Sequence, residues 1–264
     1  MNGIIIYAIV FLYGIVIGSF LNVCIYRIPE GTSVVTERSH CMKCNRQLKW
    51  FELIPVFSYL FLGGRCRTCK TRISIQYPMI EALNGILYVL VFYLYGWNSF
   101  GEIFLSIAYC LIMSALIVLS VIDLRTNIIP FGINIFILVI GLVIVLVKYF
   151  YFEKSMKLVL EHIIGFFAIS FLLFLLFYLS RGRAIGGGDV KLMAAAGFVL
   201  GWQNVLLAFF LGCILASIIH PIRMKLSNAN SVLAFGPYLS AGIAIAILYG
   251  QNLIHWYIDT FILI

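Results

Sequence analysis

Long uncharged stretches separated by short polar breaks dominate the pattern of this chain. Apolar runs lie near 3–26, 77–96, 103–122, 131–147, 158–179 and 203–219. Each approaches the roughly 20 residues that a helix needs to cross a hydrocarbon core. Two further runs are weaker: 190–201 is short unless the glycines before it are also buried in protein, and 232–249 is interrupted by Gly236-Pro237. In lipid every backbone polar group must be satisfied internally, so these runs predict helices. The expected fold is an all-α polytopic membrane protein of about eight transmembrane helices, with a cytoplasmic zinc-ribbon-like loop between the first two.

Composition agrees with the pattern. Hydrophobic residues make up 63% of the 264 positions and charged residues 11%, far more apolar surface than a soluble core uses. The stretch before Arg27 lacks a basic start and is long, so it reads as a retained first helix rather than a secretory signal. Retained loops carry the Lys/Arg excess. With eight spans and the N-terminus outside, 15 of the 18 basic residues fall inside, leaving Lys148, Lys154 and Lys157 outside. Asp123 and Asp189 then lie at cytoplasmic helix ends. The net charge of +8 is accounted for by topology and contact with anionic lipid in the bilayer, and no basic-aromatic interleaving argues for nucleic acid. Tyr95, Trp97, Tyr149, Tyr151 and Trp202 sit at span ends as interfacial anchors, and Glu102, Glu161 and His162 are expected at the outer interface.

The only sizeable polar segment, about 27–76, carries Cys41-Met42-Lys43-Cys44 and Cys66-Arg67-Thr68-Cys69. Two C-x-x-C knuckles at this separation suit tetrahedral thiolate coordination of zinc, because each presents two sulfurs on one tight turn. Two disulfides or a redox pair are the alternative, which a cytoplasmic placement disfavours. A site of Cys41, Cys44, Cys66 and Cys69 is closed, hence structural. His40 adjoins the first knuckle and faces solvent, while Cys24, Cys110 and Cys213 pack as small apolar residues.

Two acids adjoin apolar spans: Asp123 in Val121-Ile122-Asp123-Leu124-Arg125 and Asp189 in Gly186-Gly187-Gly188-Asp189-Val190-Lys191. An ionisable group at membrane depth is a functional hypothesis by default. Read singly, Asp189 suits a helix N-cap and Asp123 a snorkelling helix-end residue beside Arg125. Together, two carboxyls that share one proton can activate a water, which is the chemistry of aspartic peptide hydrolysis. Gly186, Gly187 and Gly188 permit close approach of another backbone, such as an extended substrate. Pro130 helps to start the fourth span and makes 123–130 an ordered re-entry. No G-x-S-x-G or H-E-x-x-H motif offers a rival chemistry.

These residues resemble the type IV prepilin peptidases, members of the GxGD class of membrane aspartic peptidases. The resemblance runs almost end to end: Gly18-Ser19-Phe20-Leu21-Asn22-Val23-Cys24-Ile25-Tyr26-Arg27-Ile28-Pro29, the double C-x-x-C loop, Tyr77-Pro78-Met79-Ile80-Glu81, Asp123 with Pro130, Gly186 through Leu192, and Phe235-Gly236-Pro237. It implies cleavage of the leader from type IV pilin-like precursors at the cytoplasmic face of a bacterial inner membrane. Asp123 and Asp189 are then the catalytic pair, supported by the glycines, Lys191 and Pro130. It also implies N-methylation of the new terminus with S-adenosylmethionine. Residues 1–100 then form a membrane region with the zinc-binding loop and the methyltransferase part, and 101–264 the peptidase domain. Glu81 and Asn84, with Asn22 and Arg27, are candidates for methyl transfer or for structural hydrogen bonds.

A transporter also uses paired intramembrane acids and broken helices, but it predicts polar residues spread through several spans to the midplane. Here the spans are nearly pure aliphatic and aromatic, with the acids gathered at one face. A scaffold using the cysteine loop to bind a partner leaves the glycine-aspartate segment without a purpose.

Overall fold

The computed structural model describes residues 3–227 and 233–261, and the chain divides into two compact units, Met1–Tyr93 and Leu94–Ile264. The first holds α1 (Gly3–Glu30), a 3-10 turn (Trp50–Leu53), α2 (Phe57–Phe61) and α3 (Gln76–Tyr95), whose last turn crosses the division. The second holds α4 (Phe100–Thr126), α5 (Phe131–Val147) continued by a π segment (Lys148–Phe152), α6 (Met156–Ala168), α7 (Ser170–Leu179), α8 (Gly187–Leu200), α9 (Trp202–Ser227) and α10 (Gly236–Phe261).

Among the described residues, seven helical stretches are long and apolar enough to cross a membrane: α1, α3, α4, α5 with its π segment, α6 with α7, α9 and α10. The eighth expected element is α8, 14 residues long and packed against α5, α6, α7, α9 and α10. Its shortness is tolerable because neighbouring helices surround it. Gly236-Pro237 does not interrupt the last span but opens it. Proline in a first helical turn loses no intrahelical hydrogen bond, so α10 begins there and runs 26 residues.

Lipid tails are as apolar as leucine, so helices here associate through close packing and hydrogen bonds rather than hydrophobic transfer. In the first unit, Gly14 and Gly18 lie one turn apart on α1 and meet α3 backbone. A Cβ at Gly14 would fall 2.6 Å from the Gly85 Cα, and one at Gly18 would fall 2.7 Å from the Glu81 Cα. The contact brings Asn84 Nδ2 within 2.7 Å of the Gly14 carbonyl, to which it donates. In the second unit, the most apolar stretch of α4 is the most enclosed of the seven spans, with Ile112 and Leu119 fully buried. Gly165 of α6 and Gly197 of α8 face each other too closely for any side chain at either position.

Three local expectations are corrected. The segment 123–130 is not a re-entry: α4 continues through Thr126, and Asn127 closes it in the left-handed conformation (φ 52°), its N–H donating to the Asp123 carbonyl at 2.8 Å. Asparagine tolerates this conformation, which lets the helix stop in one residue. His162 is not interfacial but buried on α6, 2.7 Å through Nδ1 from the Phe198 carbonyl of α8. The ring is spent on tying two helices. Tyr95 likewise turns inward, its hydroxyl donating to the Ile247 carbonyl.

Candidate functional site

Asp123 and Asp189, 66 residues apart in sequence, are both buried, with 4% and 8% of their surface exposed. They reach one place because three helix ends converge. Asp123 is in the last turn of α4, Asp189 in the first turn of α8, and α10 begins beside them. Gly188 of α8 packs on Ile129, six residues past Asp123, and α10 opens against Asp123 itself, so both carboxyls sit at one junction. Two carboxyls buried at one junction cannot both stay charged cheaply, so such a pair favours holding a single shared proton.

Each carboxyl has its own setting. Asp123 Oδ2 accepts from the N–H of Gly236 at 2.9 Å, the opening residue of α10. Asp189 occupies the third helical position of α8, not the cap; Gly186 is the cap, and the Asp189 N–H donates to its carbonyl at 3.2 Å. Asp189 Oδ1 is buried without a hydrogen-bond partner. An orphaned buried carboxyl oxygen is costly in a finished fold and is available to a reacting molecule.

The glycines divide by task, none of them at positive φ. A Cβ at Gly186 would stand 3.1 Å from Asp189 Oδ2, and one at Gly188 2.8 Å from the Ile129 Cβ. At Gly187 it would meet only the Phe177 ring at 3.6 Å, an ordinary contact. Gly188 therefore lets α8 press against the α4–α5 connection, which is where the expected close backbone approach occurs within the chain. Pro130 caps α5, and the Lys191 ammonium lies 4.7 Å above the ring of Phe131, the first residue of that helix. Gly236 and Ile129 are the participants that residue-by-residue reading passed over. Phe235-Gly236-Pro237 was visible as a motif, but its role depends on a bond spanning 113 residues.

The four loop cysteines also meet. Their sulfurs all lie within 4.8 Å of one another, and Cys41 Sγ is 3.8 Å from Cys69 Sγ. Zinc–thiolate bonds of about 2.3 Å place tetrahedral sulfurs about 3.8 Å apart, so the set fits the metal. The two knuckles are built alike. In each, the first cysteine's N–H is received by a carbonyl five residues on (Arg46, Thr71), and a residue at positive φ (Asn45, Lys70) closes the turn. Hydrogen bonds from Thr71 draw the Cys69 thiol down to about 6, and Arg46 lies against Cys66 while pairing with Glu52 at 2.6 Å. Both features favour thiolates at these two cysteines.

The remaining candidates sit in the first unit, hydrogen-bonded to backbone groups. Glu81 Oε2 accepts from the Val56 N–H at 2.7 Å and Asn22 Nδ2 donates to the Tyr77 carbonyl at 3.2 Å. Arg27 donates to the Ser33 and Glu37 carbonyls at 3.0 and 2.9 Å, folding the start of the loop.

Fold and site define a polytopic helical membrane protein with a carboxyl pair buried where helix ends converge. Residues 12–95 match the bacterial peptidase A24 N-terminal domain, and residues 110–220 match the type IV leader peptidase family. The chain belongs to the type IV leader peptidase family. It is similar to proteins named prepilin leader peptidase/N-methyltransferase from Aeromonas salmonicida, Bacillus subtilis and Pseudomonas aeruginosa, at 30%, 31% and 30% identity. These alignments cover 96%, 95% and 94% of this chain and 94%, 97% and 92% of the relatives. No solved structure matches the chain.

Proposed function

We propose that the protein cleaves the leader from type IV pilin-like precursors with Asp123 and Asp189, at the cytoplasmic face of a bacterial inner membrane with its N-terminus outside. The observation that carries this is the convergence of the two carboxyls, one oriented by a backbone N–H and the other with a bare buried oxygen. The ionised member takes a proton from water, and the resulting hydroxide attacks the scissile carbonyl carbon. The protonated member gives its proton to the carbonyl oxygen. Collapse of the tetrahedral intermediate breaks the C–N bond as the nitrogen is protonated, releasing the leader and a new N-terminal amine.

The names of the relatives support a second activity, N-methylation of that amine, with S-adenosylmethionine as donor. Glu81 and Asn84 each commit polar atoms to backbone groups, which supports a structural role; of the four candidates, Asn22 keeps a buried oxygen, Oδ1, without a partner. These contacts assign no donor pocket. Cys41, Cys44, Cys66 and Cys69 hold a structural zinc that fixes the loop. The division at Tyr93 is compatible with a methyltransferase part in 1–100 and a peptidase domain in 101–264.

The test is cleavage of a pilin-like precursor by the purified protein, comparing wild type with Asp123→Asn and Asp189→Asn. Loss of cutting in both variants is expected. Cutting that survives either substitution excludes the paired mechanism.

A further inference from the structure

Between the two cysteine knuckles runs the segment Trp50–Phe61, comprising the 3-10 turn and α2. It is attached to the cysteine loop but does not hide its apolar side chains. Trp50 is 78% exposed and Phe61 87%, with Leu53, Ile54, Phe57 and Leu60 also exposed. In a water-facing loop so compact an apolar patch is costly and marks an interaction surface.

Three observations identify the occupant. First, the segment is fastened to the second turn of α3, a helix long and apolar enough to span the bilayer. The Val56 N–H, one residue before α2, is held by Glu81, the sixth residue of α3. At 1.5 Å per residue, that is about 8 Å along the helix from its start, so the segment is held beside the end of the span from which the cysteine loop leaves. Second, exposed Lys49, Arg65, Arg67 and Lys70 flank the apolar residues, and the whole segment 27–72 carries nine basic residues against three acidic ones. One of those acids, Glu52, is already paired with Arg46. Third, the Arg67 guanidinium lies 5.4 Å from the Phe51 ring centre, so a cation adjoins the ring from which the apolar ridge extends.

We propose that Trp50–Phe61 is a membrane-interface anchor, its aromatic and aliphatic side chains inserted at the headgroup–acyl boundary and its flanking basic residues against anionic lipid headgroups. The anchor joins the cysteine loop to the bilayer surface at a third point, in addition to its two covalent connections to α1 and α3. Its role is independent of the peptidase reading. A basic, apolar surface of this kind is matched by an anionic bilayer.

The experiment uses the full-length protein in nanodiscs containing phosphatidylglycerol, with Trp97, Trp202 and Trp256 replaced by phenylalanine so that Trp50 alone reports. Lipids brominated near the carbonyl end of the acyl chain are expected to quench Trp50 emission about twofold, with reduced quenching by aqueous acrylamide. In purely zwitterionic nanodiscs at high salt, both effects are expected to weaken. If the triple variant is unstable, the difference between wild type and Trp50→Phe in the same nanodiscs gives the same reading. Trp50 emission unaffected by brominated lipid and fully open to acrylamide overturns the proposal. So does protection that appears only after a pilin-like precursor is added, because the surface would then belong to a protein partner.

Discussion

The backbone N–H of Gly236 donates to Asp123 Oδ2 at 2.9 Å, tying the end of α4 to the beginning of α10. This bond explains why a glycine stands at position 236. A Cβ there would lie 2.8 Å from the same oxygen and 3.1 Å from the carboxyl carbon, and α4 is too tightly enclosed to yield. Gly236→Ala is therefore expected to turn the carboxyl away and lose the bond. A hydrogen bond to a charged group contributes about 1.5–3 kcal/mol, which corresponds to a fall in cleavage on the order of 10- to 100-fold. Unchanged kcat/KM for a precursor, in a variant that remains folded, would show that the bond does not position Asp123.

The three consecutive glycines are expected to separate under alanine substitution. Gly187→Ala meets only ordinary contact with Phe177 and removes a poor helix former, so activity is retained and stability rises by up to about 1 kcal/mol. Gly188→Ala drives a methyl into the Ile129 Cβ and displaces the first turn of α8, which carries Asp189. Overpacking of this kind costs about 1–3 kcal/mol. Precursor cleavage and thermal unfolding in detergent check both variants, and equal behaviour of the two contradicts the division of tasks.

His162 is expected to matter for stability. Because its partner is a carbonyl, Nδ1 is the donor, and the bond joins α6 to the helix that carries Asp189. His162→Ala leaves the Phe198 carbonyl unpaired, at a cost of about 1–3 kcal/mol. A lowered Tm with the cleavage pH profile unmoved is the expected result; a shifted profile with unchanged Tm would assign the ring to the chemistry.

The four-cysteine site is expected to carry one zinc ion per chain, measured by elemental analysis. Chelation, or Cys44→Ser, releases the constraint on the loop, and limited proteolysis within 41–69 should accelerate. Proteolysis that proceeds at the same rate after complete metal removal would argue against a structural metal.

Glu81 offers a separation of its two readings. Glutamine keeps an oxygen able to accept from the Val56 N–H, whereas alanine does not. A structural role predicts that Glu81→Gln retains both precursor cleavage and methylation, while Glu81→Ala speeds hydrogen exchange at Val56. Loss of methylation alone in Glu81→Gln would make the carboxylate part of the transfer.

The chain by itself determined a good deal. Apolar runs of bilayer length follow from the absence of charge over consecutive positions, a property no folding can alter, and they foretold the spanning helices and their approximate bounds. The cysteine site was legible because each C-x-x-C knuckle is local: five residues close the turn, and only the meeting of two equal halves remained. The proline that begins α5 was legible for the same reason, since Pro130 acts on its own backbone.

What only the tertiary structure decided concerns contacts between distant segments. That Asp189 is a third helical residue and not a cap depends on where α8 begins, which its packing against five neighbours allows despite its length. That Gly188 answers to Ile129, Gly236 to Asp123 and His162 to Phe198 could not be read from spacing, because each partner lies on a different segment of the fold. Within lipid, hydrophobicity says which residues cross the membrane but gives one helix face little preference over another. The choice of neighbours falls to small residues and a few buried polar groups, whose complementarity exists only once the helices have met.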